Sequence, residues 1–493
     1  MPDMKKTTFF LAAAAAILCM AGGPTAQAAE KRHGLLPCRV SGLEHDALCG
    51  VIGRPFDPAR PQGLQIDVHF VVVPALARNR KRDPIIFFAG GPGQSAIELA
   101  GPVSRLLSRL GYRRDIVFID QRGTGKSAPL RCSDDLPGRA LADTIGTEAT
   151  LARLINCRTQ LQKLPYGDLR HFSTPLAVQD AEAVRLVLEA DEVNLIGGSY
   201  GTRVVLEYMR QNPGVVRRAV IDGVAPPDMA LPSSFSTDNQ AALDAQLVAC
   251  EGDPRCRVRF PTLRADWQAL LASLPRAVAV THPVTGAQER VTFSRDTVLG
   301  LARAPLYVPT LASALPLAIS EASRGRFEAL LGLSSVSVGN RIGSIAEGMH
   351  FSVVCTEDLP RLELSKDTPG NDYGDSFARL YTQVCADWPR GVLPKGYYDL
   401  APAASATLLL SGGVDPVTPP RHAERVARLL GSRAHHVVVP QAGHGVMAMP
   451  CMRDVMFKFI DAANDAEAAK VDTACANAIP RPSAFIPVAE LSK

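Results

Sequence analysis

The chain has 493 residues, 46% of them hydrophobic, which is enough for a large domain plus a substantial insertion. A formal net charge of +4, part of it at the N-terminus, makes no case for nucleic acid as a partner. Beyond the first residues, no run approaches the roughly 20 apolar residues a spanning helix needs, so no stable membrane insertion is expected.

At the N-terminus Lys5 and Lys6 precede an apolar run from Phe9 to Met20, and Ala26-Gln27-Ala28 supplies small residues for cleavage. Residues 1–28 are therefore predicted to be a secretory signal peptide, and the protein is expected to be exported to the periplasm or the medium. A membrane anchor is the competing reading, but the run is short for one. Cys19 follows Leu18 where a lipoprotein signal wants a small residue, which favours simple cleavage. Of the 11 cysteines, setting Cys19 aside leaves ten, which read as disulfides in an oxidising compartment. They fall into close couples along the chain, so the expected bridges are Cys38–Cys49, Cys132–Cys157, Cys250–Cys256, Cys355–Cys385 and Cys451–Cys475. CxxC spacing with partner histidines is absent, and no metal site is expected.

Leu64 to Val73, Pro84 to Phe88 and Asp115 to Asp120 are short apolar runs, the last two followed by glycines, as buried parallel strands are. Pro175 to Ala190 has helical periodicity and leads into a strand from Val193 to Gly197. A helix from Tyr200 to Gln211 follows, ended by Asn212-Pro213, and then a strand from Ala219 to Asp222. Strands alternating with helices predict an α/β fold with a parallel sheet wrapped on both faces. The alternation stops over 223–403, where helical patterns (Asn239 to Cys250, Leu263 to Leu274, Leu311 to Arg324) surround one hairpin from Ala277 to Phe293. That stretch is expected to be an inserted, mainly helical cap. It divides a core of 29–222 and 404–465, and 466–493 forms a tail. The core resumes with a strand from Ala406 to Gly412, a helix from Pro420 to Leu430, a strand from His435 to Val439 and a helix from Met452 to Ala463.

Gly197-Gly198-Ser199-Tyr200-Gly201 fits G-x-S-x-G between a predicted strand and a predicted helix, where a tight turn lifts a serine hydroxyl above the sheet. Ser199 is the candidate nucleophile, and it needs a base and an acid that orients the base. Asp415 follows the strand Ala406 to Gly412, and His444 follows His435 to Val439 inside Gly443-His444-Gly445. Chain order favours Asp415 as the acid over Asp222, which also ends a strand. The pair His435-His436 is read as structural. Two backbone N–H groups should stabilise the oxyanion: Tyr200, next to the nucleophile, and Gly91 of Gly90-Gly91-Pro92-Gly93, with Gly93 as the alternative and Pro92 excluded for want of an N–H.

Gly90-Gly91-Pro92-Gly93, the run Asp120-Gln121-Arg122-Gly123-Thr124-Gly125-Lys126-Ser127 and the Ser199 turn resemble the signature set of the prolyl and tripeptidyl aminopeptidase group of α/β-hydrolases. The Asp415 and His444 segments resemble the C-terminal part of its secreted tripeptidyl-type members. Ala89 departs from the histidine usual there in prolyl aminopeptidases, which favours the tripeptidyl-like branch. The resemblance implies an α/β-hydrolase fold and cleavage of short peptides from a free N-terminus, without metal or organic cofactor. Asp120 and Arg122 are expected to pair and to hold the loop under the oxyanion turn. An aminopeptidase must also read a cationic amino group, and Glu357 and Asp358, beside Cys355 at the exit of the cap, are candidates, weighed against a solvated acidic turn. A carboxylesterase using the same triad is the alternative function, and a binding protein on the same scaffold is a third.

Overall fold

The computed structural model describes residues 34–132, 139–338, 344–487. The predicted signal segment lies outside the described residues. Nine strands form one sheet: β1 (Leu36–Cys38), β2 (Ala47–Pro55), β3 (Gln65–Val73), β4 (Ile85–Phe88), β5 (Ile116–Ile119), β6 (Val193–Gly198), β7 (Val216–Asp222) and, after a separate hairpin of β8 (Arg276–Thr281) and β9 (Gln288–Phe293), β10 (Ala406–Gly412) and β11 (Ala434–Val439). Their order is β1-β2-β3-β5-β4-β6-β7-β10-β11. Pairing is antiparallel from β1 through β3 to β5 and parallel from β5 to β11. Strands β4, β5 and β10 are buried along their whole length, which explains why β4 and β5 are continuous apolar runs and β10 admits only the small polar residues Thr407 and Ser411.

The sheet packs one apolar cluster on each face. Val117, Leu195 and Val204 belong to one, and Ile85, Ile196 and Phe459 to the other. Because β6 alternates across the sheet, its neighbours Leu195 and Ile196 enter opposite clusters.

Between β7 and β10 the described residues form helices and connecting loops apart from the β8–β9 hairpin, whose turn carries Gly286 at φ +72. This stretch has its own core, centred on the fully buried Trp267, whose indole N–H donates to Asp372 Oδ2 at 3.0 Å. One helix was expected from Leu311 to Arg324, and two are found, Pro309–Ala312 and Leu315–Ser323. Pro316 sits in the first turn of the second helix, where its missing N–H costs nothing.

All five expected disulfides are present, with Cα–Cα distances of 5.1–6.1 Å. They close loops of 6 to 30 residues, each of which stabilises the fold by roughly 2–4 kcal/mol through loss of chain entropy in the unfolded state. Among the described residues no helix is long and apolar enough to cross a membrane.

Candidate active site

Ser199 stands between β6 and the helix Tyr200–Gln211 with φ 55 and ψ −124, a conformation an L-residue adopts only under constraint. Close packing around it supplies that constraint. A Cβ on Gly197 would lie 2.4 Å from the Gly201 carbonyl oxygen, and one on Gly201 would lie 2.2 Å from the Phe88 oxygen, so neither position admits a side chain. The Ser199 N–H donates to the Asp222 carbonyl at 2.8 Å, tying the turn to the end of β7. Ser199 is only partly buried.

His444 and Asp415 meet at the ends of β11 and β10, with Nδ1 of the ring 2.8 Å from Asp415 Oδ2. Asp415 is buried and its second oxygen is filled by the backbone N–H groups of Val417 (2.8 Å) and Thr418 (2.9 Å). Burial alone would raise the Asp415 pKa, but the charge and hydrogen bond of His444, with those N–H groups, hold it below the ordinary aspartate value. Burial likewise pushes His444 down, and the Asp415 carboxylate outweighs it, so the imidazole pKa sits above 6.5. The ring is steered from one side by Tyr307, edge-on at 5.3 Å between centroids, and the His444 N–H donates to the Tyr307 carbonyl at 2.9 Å.

Asp222, the other candidate acid, does not pair with the imidazole. Its Oδ2 accepts the N–H groups of Val446 and Met447, both at 2.8 Å, and burial pushes its pKa up to about 6. Since its carbonyl also holds Ser199, Asp222 fixes the serine turn and the histidine loop to the same strand end.

The Gly90-Gly91-Pro92-Gly93 turn lies against the serine. A Cβ on Gly90 would sit 3.2 Å from Ser199 Cβ, and Gly91 takes φ +108. Tyr200 is the first residue of its helix, so its N–H has no intrahelical acceptor. Its ring is buried, with the hydroxyl 2.7 Å from Thr174 Oγ1. The turn that carries Gly91 thus packs against Ser199 through Gly90, and Tyr200 follows Ser199 directly in the chain.

Asp120 and Arg122 do not pair with each other as expected. Asp120 accepts from Ser95 Oγ (2.6 Å) and from the N–H groups of Ile97 and Lys126, binding its own loop to the segment after the oxyanion turn. Arg122 reaches away to Asp180 in a bidentate pair at 2.7 and 2.9 Å. Both are buried and architectural.

Glu357 and Asp358 are not an open acidic turn, and neither is placed to read a substrate. Both are fully buried at the C-terminal end of the helix Glu347–Glu357, where the helix dipole disfavours negative charge. Arg203, one turn into the nucleophile helix, pairs with both, with Nη1 and Nη2 on the two Asp358 oxygens at 2.8 and 2.9 Å and Nη1 3.4 Å from Glu357. Glu357 also accepts from the N–H and hydroxyl of Thr174 and from the Tyr397 hydroxyl, which fills its oxygens. The sequence reading missed that a carboxylate pair beside a disulfide cysteine can face inward.

Thr418 was also missed. Its hydroxyl lies 2.8 Å from Asp415 Oδ2 and 3.1 Å from His444 Nδ1, against the contact the two make. A signal existed: an aspartate whose side chain bonds the backbone two and three residues on forms an Asx-type turn, and here that turn delivers Thr418 to the pair. Among the described residues no three His, Cys, Asp or Glu side chains converge as metal ligands would.

A glycine-bounded serine at a strand–helix elbow, with an acid and a histidine following later strands of a largely parallel sheet, defines a hydrolase. The chain belongs to the alpha/beta hydrolase fold family, which it matches over residues 83–448. It is similar to the serine protease Hip1 of Mycobacterium tuberculosis, at 26% identity over 80% of this chain and 83% of that one. It is also similar to the tripeptidyl aminopeptidase of Streptomyces coelicolor, at 27% identity over 88% of this chain and 84% of the relative. Among solved structures it matches a proline iminopeptidase-related protein of Thermus thermophilus, at 16% identity and a TM-score of 0.36, covering 87% of this chain and 98% of that one.

Proposed function

We propose that this protein is an exported serine aminopeptidase that cleaves short peptides from a free N-terminus. In this reading Ser199 attacks the scissile carbonyl, and His444 takes its proton and returns it to the leaving amine. Asp415 holds the imidazole, the N–H groups of Gly91 and Tyr200 receive the oxyanion, and an acyl-enzyme on Ser199 is then hydrolysed by water. The observation that carries it is the strained Ser199 elbow together with the buried Asp415–His444 pair. Peptide as substrate is supported by two relatives named as peptidases over most of their length. Export is supported by the five disulfides and the N-terminal leader sequence.

The segment 223–403 serves as a cap. It docks on the oxyanion turn itself, where the Ala346 N–H donates to the Gly93 carbonyl at 2.9 Å, so it limits approach to Ser199 and favours chain ends over folded proteins. On this reading the site must recognise the free ammonium, so N-acetylation of a good tripeptidyl amide should lower kcat/KM on the order of a hundredfold. A panel of aminoacyl and tripeptidyl chromogenic amides, their acetylated forms and short-chain esters checks this. Equal cleavage of free and acetylated peptides contradicts the aminopeptidase reading, and ester turnover without amide turnover makes the protein a carboxylesterase.

The base must be neutral to act, so kcat/KM should rise with pH through a pKa above 6.5. In Asp415→Asn the charge that raises the imidazole pKa is gone, and the same limb should move to lower pH. The pair's effect on stability has the matching sign. The His444 contribution is complete below pH 6.5 and is lost as pH rises through the raised value, and the Asp415 contribution is present above 3.8 and lost as pH falls. A pH profile that is unchanged in Asp415→Asn would remove Asp415 from the triad.

A further inference from the structure

Among the described residues the arginines that are buried outright are held by carboxylates. Arg114 pairs with Asp83 and Asp461, Arg122 with Asp180, Arg203 with Asp358, and Arg218 with Asp465. Arg303, on the helix Arg295–Leu306, is partly buried and is held differently. Among the described residues no carboxylate pairs with it. One nitrogen, Nη2, donates to the Tyr307 hydroxyl at 2.6 Å, and Nε is shut from water without a partner. The rest of its surroundings are ring faces: Phe235 at 4.8 Å and Tyr307 and Phe377 at 5.4 Å from the guanidinium carbon. The residue is only partly buried.

Its position ties it to the site. Tyr307, which it bonds, packs edge-on against His444. On the other side Phe235 packs on Tyr381, whose hydroxyl lies 2.9 Å from His350 Nε2, and His350 belongs to the helix that follows the Ala346–Gly93 contact on the oxyanion turn. Side-chain contacts thus link the guanidinium through Tyr307 to His444 and through Phe235 and Tyr381 to His350, and its charge lowers the pKa of both histidines. Aromatic faces soften an unpaired cation but do not replace the anion that a partly desolvated guanidinium calls for.

We propose that Arg303 is the specificity residue that receives a carboxylate of the substrate, supplied either by an acidic side chain next to the scissile bond or by the free C-terminus of a short peptide. The proposal rests on the peptidase reading for its substrate class. A guanidinium presents a planar fork that fits a carboxylate bidentately, and the aromatic cage fixes its orientation before substrate arrives.

The test uses binding, so that it does not depend on turnover. In a Ser199→Ala background, calorimetry compares tetrapeptides ending in a free carboxylate or an amide, each with Glu or Gln at the residue before the expected scissile bond. The carboxylate form of one pair should bind about tenfold tighter or more than its neutral partner, and which pair does so identifies the source. Adding Arg303→Met should bring that ratio to about one, while Arg303→Lys keeps part of it, since the charge remains without the fork. Circular dichroism confirms that each variant is folded, and if Arg303→Met is not, the Lys variant carries the comparison through its reduced ratio. A ratio of one in the Ser199→Ala protein, or a ratio unchanged by Arg303 substitution, overturns the proposal, because an arginine that only glues the aromatic cage would weaken all four peptides alike. Charge-dependent binding in a protein that cleaves no peptide amide would leave Arg303 assigned and discard only the peptidase reading.

Discussion

Ser199→Ala should abolish turnover, with kcat falling by at least about 10⁴-fold while the fold and the melting temperature stay close to those of the parent. No other group can replace a covalent nucleophile, and the elbow that presents it is built by neighbours the substitution leaves alone: Gly197, Gly201 and the Asp222 carbonyl. Removing the hydroxyl even spares any polar group the duty of satisfying it. His444→Ala should cost nearly as much, and Asp415→Asn somewhat less, since Thr418 still contacts the ring. Steady-state kinetics on the best amide substrate, with active-site titration to exclude contaminating parent enzyme, measures all three. Retention of a tenth of the parent rate in Ser199→Ala would mean that the nucleophile lies elsewhere.

The largest effect on stability is expected at Arg203. Arg203→Met leaves Asp358 and Glu357 buried without their cation, and breaking a buried pair from one side typically costs about 3–5 kcal/mol. The pH dependence is distinctive. Burial already raises the Glu357 pKa, and losing Arg203 raises it further, so the folded state takes up protons more readily than the unfolded chain. Stability of the variant should therefore increase as pH falls from 8 to 5, and its deficit relative to the parent should shrink over the same interval. Urea unfolding at several pH values reads this out. A loss below about 1 kcal/mol at pH 8 would show that the ion pair is not the cement between the nucleophile helix and the helix Glu347–Glu357.

Much of this architecture could be read from the sequence wherever burial writes itself into local pattern. The central strands are mostly apolar because both their faces are covered, and Ser199, Asp415 and His444 follow strands that such runs mark. The pattern fails where burial is mixed. Strand β2 has Gly50, Gly53 and Arg54 along a half-exposed, antiparallel margin of the sheet, so neither alternation nor a continuous run identifies it. The helix Glu347–Glu357 is buried on nearly every side yet contains His350, Ser352 and Thr356, so no polar face betrays its period. Glu357 and Asp358 were misjudged for a related reason. Their cation is 155 residues away from Asp358 in the chain, and only the packing of two helices brings it there. Arg303 has the same character, for nothing in its local sequence distinguishes an arginine that lacks a carboxylate from one that has it.

The most direct test of the central claim is mass-spectrometric mapping of the protein after reaction with a fluorophosphonate. The serine-hydrolase account predicts one stoichiometric adduct, on the peptide containing Ser199, and its loss in both Ser199→Ala and His444→Ala. An adduct on any other serine, or a folded protein that is not labelled at all, would contradict it.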